Sequence, residues 1–158
     1  MVIQLAFVVC AYMSFPAELE IVAVARLSDV DPYMALAVQY VESRGNDKAV
    51  SRTNDWGRYQ INCPTWRRYL YLSSCTQLLN RHVNIWSGIH VIKRYQDRYA
   101  PKKGCLCRVH GQHAWISHYN SGNSVTGRGV SYGKMVMAVR HRLMRADKKK
   151  ALNFKWRS

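Results

Sequence analysis

Acidic residues are scarce in this chain: nine Asp and Glu stand against 24 Lys and Arg among 158 residues, which gives a formal net charge of +15. Chemistry that needs carboxylates is therefore limited to few positions, and the excess of cations predicts an anionic partner. Eight of the cations lie within residues 140–158, where Asp147 is the one acid. We interpret residues 146–158 either as a solvated basic tail or as a contact to an anionic wall polymer or a membrane surface.

Long apolar runs are missing as well. Residues 1–15 are apolar apart from Gln4 and Ser14, and they are too few to span a bilayer. They have the length of a signal-peptide apolar region, but no cation precedes them and no small-x-small cleavage site follows. An exported leader and an N-terminal arm therefore both stay open. The 48% hydrophobic content predicts one globular domain, over residues 16–145, between this segment and the basic tail.

Cysteines are few, and their spacing limits the possible disulfides. The chain has five, Cys10, Cys63, Cys75, Cys105 and Cys107. The last two are too close to bridge each other comfortably, so we expect one of them to pair with Cys63 or Cys75. Together with His110 and His113 they would form a zinc set that is tighter than ordinary structural zinc sites. We expect no metal and no other cofactor.

The clearest local signal is a helix between Asp31 and Gly45. Asp31 is a good N-cap, Pro32 suits the first helical position, and Gly45 is well placed to end the helix. The residues between are apolar almost all the way round, which predicts a buried central helix. Its last turn carries Glu42.

A lone carboxyl at the end of a buried helix costs free energy unless it is paired, protonated or used. Glu42 therefore either forms an ion pair, with Arg44 or Arg58 as the nearest candidates, or takes part in chemistry.

Periodicity predicts further helices over residues 18–27, 76–99, 112–119 and 135–144, and another that begins at Pro64. Residues 46–55 and the glycine-containing stretch 123–133 are predicted as loops, with a short β-hairpin near residues 51–61. The predicted fold class is mainly α: a single helical domain around the buried central helix, with a short hairpin.

Four separated segments resemble motifs of the lytic transglycosylases. Glu42-Ser43 resembles their Glu-Ser motif, and residues 54–62, NDWGRYQIN, resemble their Gly-Leu-Met-Gln-Ile segment. Asn84-Ile85 with Gly88 resembles Asn-Ile-x-x-Gly, and residues 114–122, AWISHYNSG, resemble Ala-x-x-x-Tyr-Asn-x-Gly. All four occur in the family's order. The chain is most similar to the small members that accompany secretion and conjugation machines, and it also resembles phage virion enzymes and C-type lysozyme.

The resemblance implies a lysozyme-like α+β fold and an enzyme that cleaves the β-1,4 bond between N-acetylmuramic acid and N-acetylglucosamine in peptidoglycan. Glu42 would protonate the leaving oxygen and then act as base on the 6-hydroxyl of the sugar, giving a 1,6-anhydro product. Its apolar surroundings fit this role, because desolvation raises the pKa of a carboxyl. The implied partners are peptidoglycan glycan strands and either a secretion or conjugation apparatus or a phage particle. The implied location is the periplasm or cell envelope, or a virion.

Asp55 is the candidate for a second catalytic carboxylate. Hydrolysing glycosidases place one across the scissile bond, so Asp55 either serves a lysozyme-type hydrolase in this way or caps a turn before Gly57. The resemblance also implies six substrate-binding residues: Ser43, Tyr59, Gln60, Tyr119, Asn120 and Tyr132. The amides would hold acetamido or hydroxyl groups, and the tyrosines would offer ring faces. Structural alternatives are Tyr119 in the core, Asn120 as a C-cap and Ser43 as a plain helix-end serine.

Three positions depart from the family pattern. Arg58 and Tyr59 replace an aliphatic residue and a Met, which predicts a more polar and more cationic cleft floor. Where the secretion-linked members have a cysteine two residues before Asn-Ile, this chain has His82, so that family disulfide is absent.

A third hypothesis, a basic nucleic-acid-binding virion protein, depends on charge alone, and no recognition helix or metal-finger spacing supports it.

Overall fold

The computed structural model describes residues 16–99, 114–122 and 126–155. The N-terminal apolar segment with Cys10, and the stretch with Cys105, Cys107, His110 and His113, lie outside these residues. The described chain is mainly helical, with one two-stranded sheet, as predicted. No helix in the described ranges is long and apolar enough to cross a membrane.

The described elements comprise six α-helices, two strands and two 3₁₀ turns. In chain order they are α1 (Ala17–Leu27), α2 (Pro32–Ser43), β1 (Asp55–Trp56), β2 (Ile61–Asn62), α3 (Cys63–Trp66), a 3₁₀ turn (Cys75–Leu79), α4 (Arg81–Tyr99), a second 3₁₀ turn (Ala114–Ile116), α5 (Ser117–Ser121) and α6 (Gly127–Lys155).

Helix α2 is the predicted central helix. The Asp31 carboxylate accepts a hydrogen bond from the Tyr33 N–H at 3.0 Å, and Pro32 occupies the first turn. Two successive residues with positive φ, Arg44 at 54° and Gly45 at 86°, end the helix. Helix α2 packs against α1 on one side and α6 on another, so most of its surface is buried. The sequence signals at both ends of this helix are thus confirmed.

Helix α6 is longer than predicted and begins earlier. The prediction of a loop is wrong for residues 127–133, and the predicted helix over 135–144 is only part of one that reaches Lys155. The glycines serve packing here: a Cβ on Gly129 would lie 2.6 Å from the Ser121 Oγ, and one on Gly133 would lie 2.7 Å from the Ser117 Oγ. Glycine therefore allows α6 to approach α5 closely.

The predicted helix over residues 76–99 is divided. Residues 75–79 form the 3₁₀ turn, and Asn80 has extended backbone angles before α4 begins. The Asn80 side chain accepts hydrogen bonds from the backbone N–H groups of His82 and Val83 at 3.0 and 3.2 Å. Because this side chain accepts from two N–H groups of the first turn of α4, it stabilises the start of the helix where the chain changes direction.

Asn84 and Gly88, on one face of α4, hold the hairpin. Asn84 accepts a hydrogen bond from the Tyr59 N–H at 2.8 Å and donates to the carbonyls of Trp56 and Leu78 at 2.8 and 2.9 Å. The Tyr59 ring lies where a Cβ on Gly88 would stand. The two strands pair antiparallel, with Asp55 opposite Asn62, so the predicted hairpin is confirmed.

The disulfide joins Cys63 to Cys75, whose Cα atoms are 5.8 Å apart and whose sequence separation is 12. The prediction of a bridge to Cys105 or Cys107 is therefore wrong. Residues 67–72 turn back after α3, which places the start of the 3₁₀ turn beside Cys63. The spacing of the cysteines does not reveal that reversal.

Candidate active site

A cavity of about 450 Å³ opens between the end of α2, the hairpin, α4 and α5. Both carboxylates singled out in the sequence, Glu42 and Asp55, line it. So do Gln60, Tyr119 and Asn120. Residues from three of the four sequence motifs therefore meet in one cavity, while the fourth motif, on α4, holds the hairpin that forms its wall.

Glu42 lies at the last turn of α2 and receives a hydrogen bond of 2.7 Å from the Tyr132 hydroxyl. The pKa of Glu42 is raised from 4.5 to about 7: burial is the largest cause, the charge of Asp55 also raises it, and the Tyr132 hydrogen bond lowers it. Glu42 forms no ion pair within the described residues. Arg58, which the sequence suggested as a partner, pairs instead with Asp47 at 2.8 Å. Glu42 thus holds its proton close to neutral pH.

Asp55 has a different environment. Its Oδ2 accepts hydrogen bonds from the hydroxyls of Ser51 and Thr53, and its Oδ1 accepts one from the Asn62 amide at 2.8 Å. Partial burial acts to raise the pKa of Asp55, but the hydrogen bonds from Thr53, Ser51 and Asn62 outweigh it and lower the pKa. Asp55 is therefore ionised at neutral pH, while Glu42 is partly protonated, so the two carboxyls carry different charge in one cavity.

Tyr119 and Tyr132 form a stacked pair beside Glu42. Their ring centroids are 6.3 Å apart and their planes differ by 6°. The Tyr119 hydroxyl donates to the Tyr59 carbonyl at 2.9 Å. Burial raises the pKa of both phenols well above the ordinary value, and the neighbouring Glu42 charge adds to this. Both hydroxyls therefore stay protonated and act as donors.

Ser43 and Tyr59 are placed away from the described cavity wall. The Ser43 hydroxyl donates to the Arg58 carbonyl at 2.7 Å and accepts from the Asn46 N–H at 3.1 Å, which ties the end of α2 to the hairpin. The Tyr59 ring is fully buried, and its hydroxyl donates to the Ala35 carbonyl at 3.1 Å. Tyr59 therefore offers no ring face to a ligand, because that face packs on α4.

Arg58 does not form a cationic cleft floor as the sequence predicted. It is buried, with 6% of its surface exposed, and is held by Asp47 and by the Gln39 amide oxygen at 3.2 Å. Gln60 has a positive φ of 46° and donates its side-chain amide to the carbonyls of Gly57 and Ala49 at 2.9 and 3.3 Å. Gln60 therefore both shapes the hairpin turn and faces the cavity.

Part of the cavity wall was not predicted from the sequence. Val91 and Tyr95 line it, three and seven residues after Gly88, which is the helical spacing of one face of α4. That spacing could have identified them. Trp66 and Arg128 also line the cavity, and no sequence signal pointed to either. No cluster of three or more His, Cys, Asp or Glu that could hold a metal occurs in the described part of the chain.

A family model described as the transglycosylase SLT domain matches residues 21–136. The chain belongs to this family. The match begins within α1 and ends within α6, so it includes every element that forms the cavity. Members of the family are lytic transglycosylases that act on the glycosidic bonds of peptidoglycan, and this chain is accordingly a peptidoglycan lytic transglycosylase. No curated protein and no solved structure matches it significantly.

Proposed function

We propose that Glu42 is the single acid and base of this transglycosylase, and that it cleaves the β-1,4 bond between N-acetylmuramic acid and N-acetylglucosamine with a 1,6-anhydro product. The observation that carries the proposal is the position of Glu42: half-buried at the cavity wall, hydrogen-bonded to Tyr132, with its pKa raised to about 7. A general acid is most effective when its pKa lies near the working pH.

The reaction proceeds in two proton transfers at one carboxyl. Protonated Glu42 donates its proton to the glycosidic oxygen as the bond from that oxygen to C1 of the muramic sugar breaks. The resulting carboxylate accepts the proton of the 6-hydroxyl on the same sugar, whose oxygen forms the new bond to C1. Glu42 is thereby protonated again, and no water is consumed.

Asp55 stabilises the positive charge that develops at C1 in this scheme. It is ionised and lines the same cavity, but three side chains already donate to its oxygens. Those contacts favour a fixed negative charge over a nucleophile that must move to form a bond. The second candidate function, a lysozyme-type hydrolase, keeps the same fold and substrate and uses Asp55 to activate water or to bind C1.

The other candidate site residues have different roles according to where they lie. Asn120 supplies its amide to the substrate, Gln60 supplies its amide oxygen because its amide nitrogen donates to backbone carbonyls, and Tyr119 lines the cavity wall. Tyr132 is a positioning residue for Glu42, and Ser43 positions the end of α2 through its contact to the Arg58 carbonyl.

Mass analysis of peptidoglycan digested by the purified protein tests the proposal. We expect fragments that end in 1,6-anhydro-muramic acid, and their loss in the Glu42→Gln variant. Glu18→Gln is a matched control, because the Glu18 side chain is 63% exposed on α1. Fragments with reducing ends in place of anhydro ends would support the hydrolase instead, and activity that survives in Glu42→Gln would remove the acid–base assignment.

We also propose that the enzyme opens the wall locally, in the periplasm or cell envelope or when carried in a virion. A net charge of +15 supports contact with the carboxylates of the wall. A secretion machine, a conjugation machine and a phage particle predict different effects of Glu42→Gln in the host. These effects are, in the same order, reduced secretion, reduced DNA transfer, and particles that adsorb normally but infect poorly. A variant that leaves all three unchanged would argue against a machine-associated role.

A further inference from the structure

The cavity at Glu42 continues into a second one of about 260 Å³. The two share Thr65, Trp66, Tyr95 and Gly122 in their walls. They therefore form one groove, with Glu42 in its larger part and an extension that runs along α4. We call this extension the arginine arm; the residues that distinguish it are Tyr69, Arg94 and Arg98.

Arg94 and Arg98 lie one helical turn apart on α4, and both are exposed in the arm. The Arg94 guanidinium carbon lies 4.5 Å from the ring centroid of Tyr69, and that of Arg98 lies 5.3 Å from the ring centroid of Tyr99. Contact with an aromatic face restrains a guanidinium while leaving its N–H groups available to an anion.

Within the described residues, no Asp or Glu side chain forms an ion pair with either of these two arginines. All nine acidic residues of the chain lie in the described ranges, and no ion pair there involves Arg94 or Arg98. The closest acid in sequence, Asp97, pairs with Lys93 at 2.8 Å. The stretches outside the described ranges contain no Asp or Glu.

We propose that the arginine arm binds a carboxylate of the stem peptide carried by the substrate strand. The proposal rests on the proposed function, because it assumes that the glycan lies in the larger part of the groove at Glu42. The sugars of the strand are neutral in their ring substituents, so two unpaired guanidinium groups have no charge partner along the sugar backbone. Where a peptide is attached, the lactyl group is an amide, and the free carboxylates are those of the peptide.

The consequence is a preference for peptide-bearing strands that acts on binding. The arm lies along α4, away from Glu42, so its contacts are the same in the ground state and the transition state. Removing such contacts raises KM and leaves kcat nearly unchanged. Loss of a charge-assisted, bidentate contact of this kind corresponds to roughly a tenfold change in kcat/KM.

The test compares two double variants on two substrates. Arg94→Gln/Arg98→Gln removes the arm's charge, and Arg142→Gln/Arg145→Gln removes the same charge from exposed positions on α6. The substrates are intact peptidoglycan strands and strands stripped by an amidase, which keep lactyl carboxylates but no peptide. We expect the arm variant to lose about tenfold in kcat/KM on intact strands and less than twofold on stripped strands, with the α6 variant nearly unchanged on both.

Several outcomes would overturn the assignment. An equal loss on both substrates would show that the arm contacts the glycan or its lactyl carboxylate, and no loss on either would show that it binds nothing used in catalysis. A similar loss of kcat/KM in the α6 variant would show that the effect comes from the net charge of the protein and not from the arginine arm. Failure of the proposed function is distinct, because the wild-type protein would then release no anhydro fragments from either substrate.

Discussion

The Tyr132 hydroxyl donates a 2.7 Å hydrogen bond to the Oε1 of Glu42, although 90 residues separate them in the chain. Tyr132 is buried, stacks on Tyr119, and through it connects to the Tyr59 carbonyl at 2.9 Å. The carboxyl is therefore held by a side chain that the core itself immobilises. The hydrogen bond also lowers the pKa of Glu42 against the effect of burial.

Tyr132→Phe should raise the pKa of Glu42 above its value of about 7, since it removes the one hydrogen bond that lowers it. The alkaline limb of the kcat/KM profile then moves to higher pH, while activity at about pH 6 falls roughly tenfold because the carboxyl loses its orientation. Muropeptide release measured across the neutral range checks both effects. Tyr40→Phe, on an exposed residue of α2, is the control. An alkaline limb that stays in place or moves to lower pH would contradict the assignment of Tyr132 as the hydrogen-bond donor that lowers the pKa of Glu42.

Asp55→Asn should shift the alkaline limb of the kcat/KM profile to lower pH. The negative charge of Asp55 raises the pKa of Glu42, so its removal lets Glu42 lose its proton at lower pH. We expect activity to fall by about tenfold or more as well, because a fixed charge near C1 is lost. Asp29→Asn is a matched control: the Asp29 side chain is 93% exposed, and Asn tolerates its φ of 54°. An unchanged pH profile would show that the two carboxyls are not coupled.

Glu42→Gln should stabilise the protein at alkaline pH. The folded wild-type carboxyl has a pKa of about 7 against an ordinary value of 4.5, so the unfolded chain releases this proton first. Wild-type stability therefore falls as the pH rises from 4.5 to about 7, by roughly 3 kcal/mol, and stays lower above that range. Chemical denaturation should show the variant more stable at about pH 8 and the difference gone at about pH 4. A gain that is the same at every pH would contradict this explanation.

Gly88→Ala should destabilise the fold. A Cβ at this position overlaps the Tyr59 ring, which is fully buried and cannot move aside, so we expect a loss of about 2 to 3 kcal/mol despite the better helix propensity of Ala. Urea denaturation measures it. Gly127→Ala is the control, because nothing lies within 4 Å of a Cβ there. Equal stability of the two variants would mean that Tyr59 is not packed on α4 as described.

Replacing both Cys63 and Cys75 by Ala should cost about 3 kcal/mol, since the disulfide closes a loop over a 12-residue separation. The urea midpoint of the double variant should match that of the reduced wild-type protein. Reductant added to the variant itself is the control and should change little. A variant as stable as the oxidised protein would show that the bridge contributes nothing to stability.

Local signals in the sequence predicted the parts of this protein that depend on near neighbours. The cap at Asp31, the proline after it and the apolar run that follows specify α2 and its burial, because helix caps and periodicity act within a few residues. The same run marks Glu42 as an unusual carboxyl, since the helix residues around it are nearly all apolar. A glycine inside a short strand-like segment suggests a turn or a close approach, and at Gly57 φ is 72° and a Cβ would lie 2.2 Å from the Asn84 amide nitrogen.

The tertiary structure decided which distant residues meet. Tyr132 contacts Glu42, Cys63 pairs with Cys75, and Tyr59 is buried in the core. Each depends on turns of the chain that the spacing of residues in the sequence does not encode. The glycines of α6 are a further example. Their composition predicts a loop, but in the fold they allow α6 to pack closely against α5. The sequence by itself determined a carboxyl at the end of a buried, capped helix. Only the fold decided what surrounds it, and burial together with those neighbours sets its pKa.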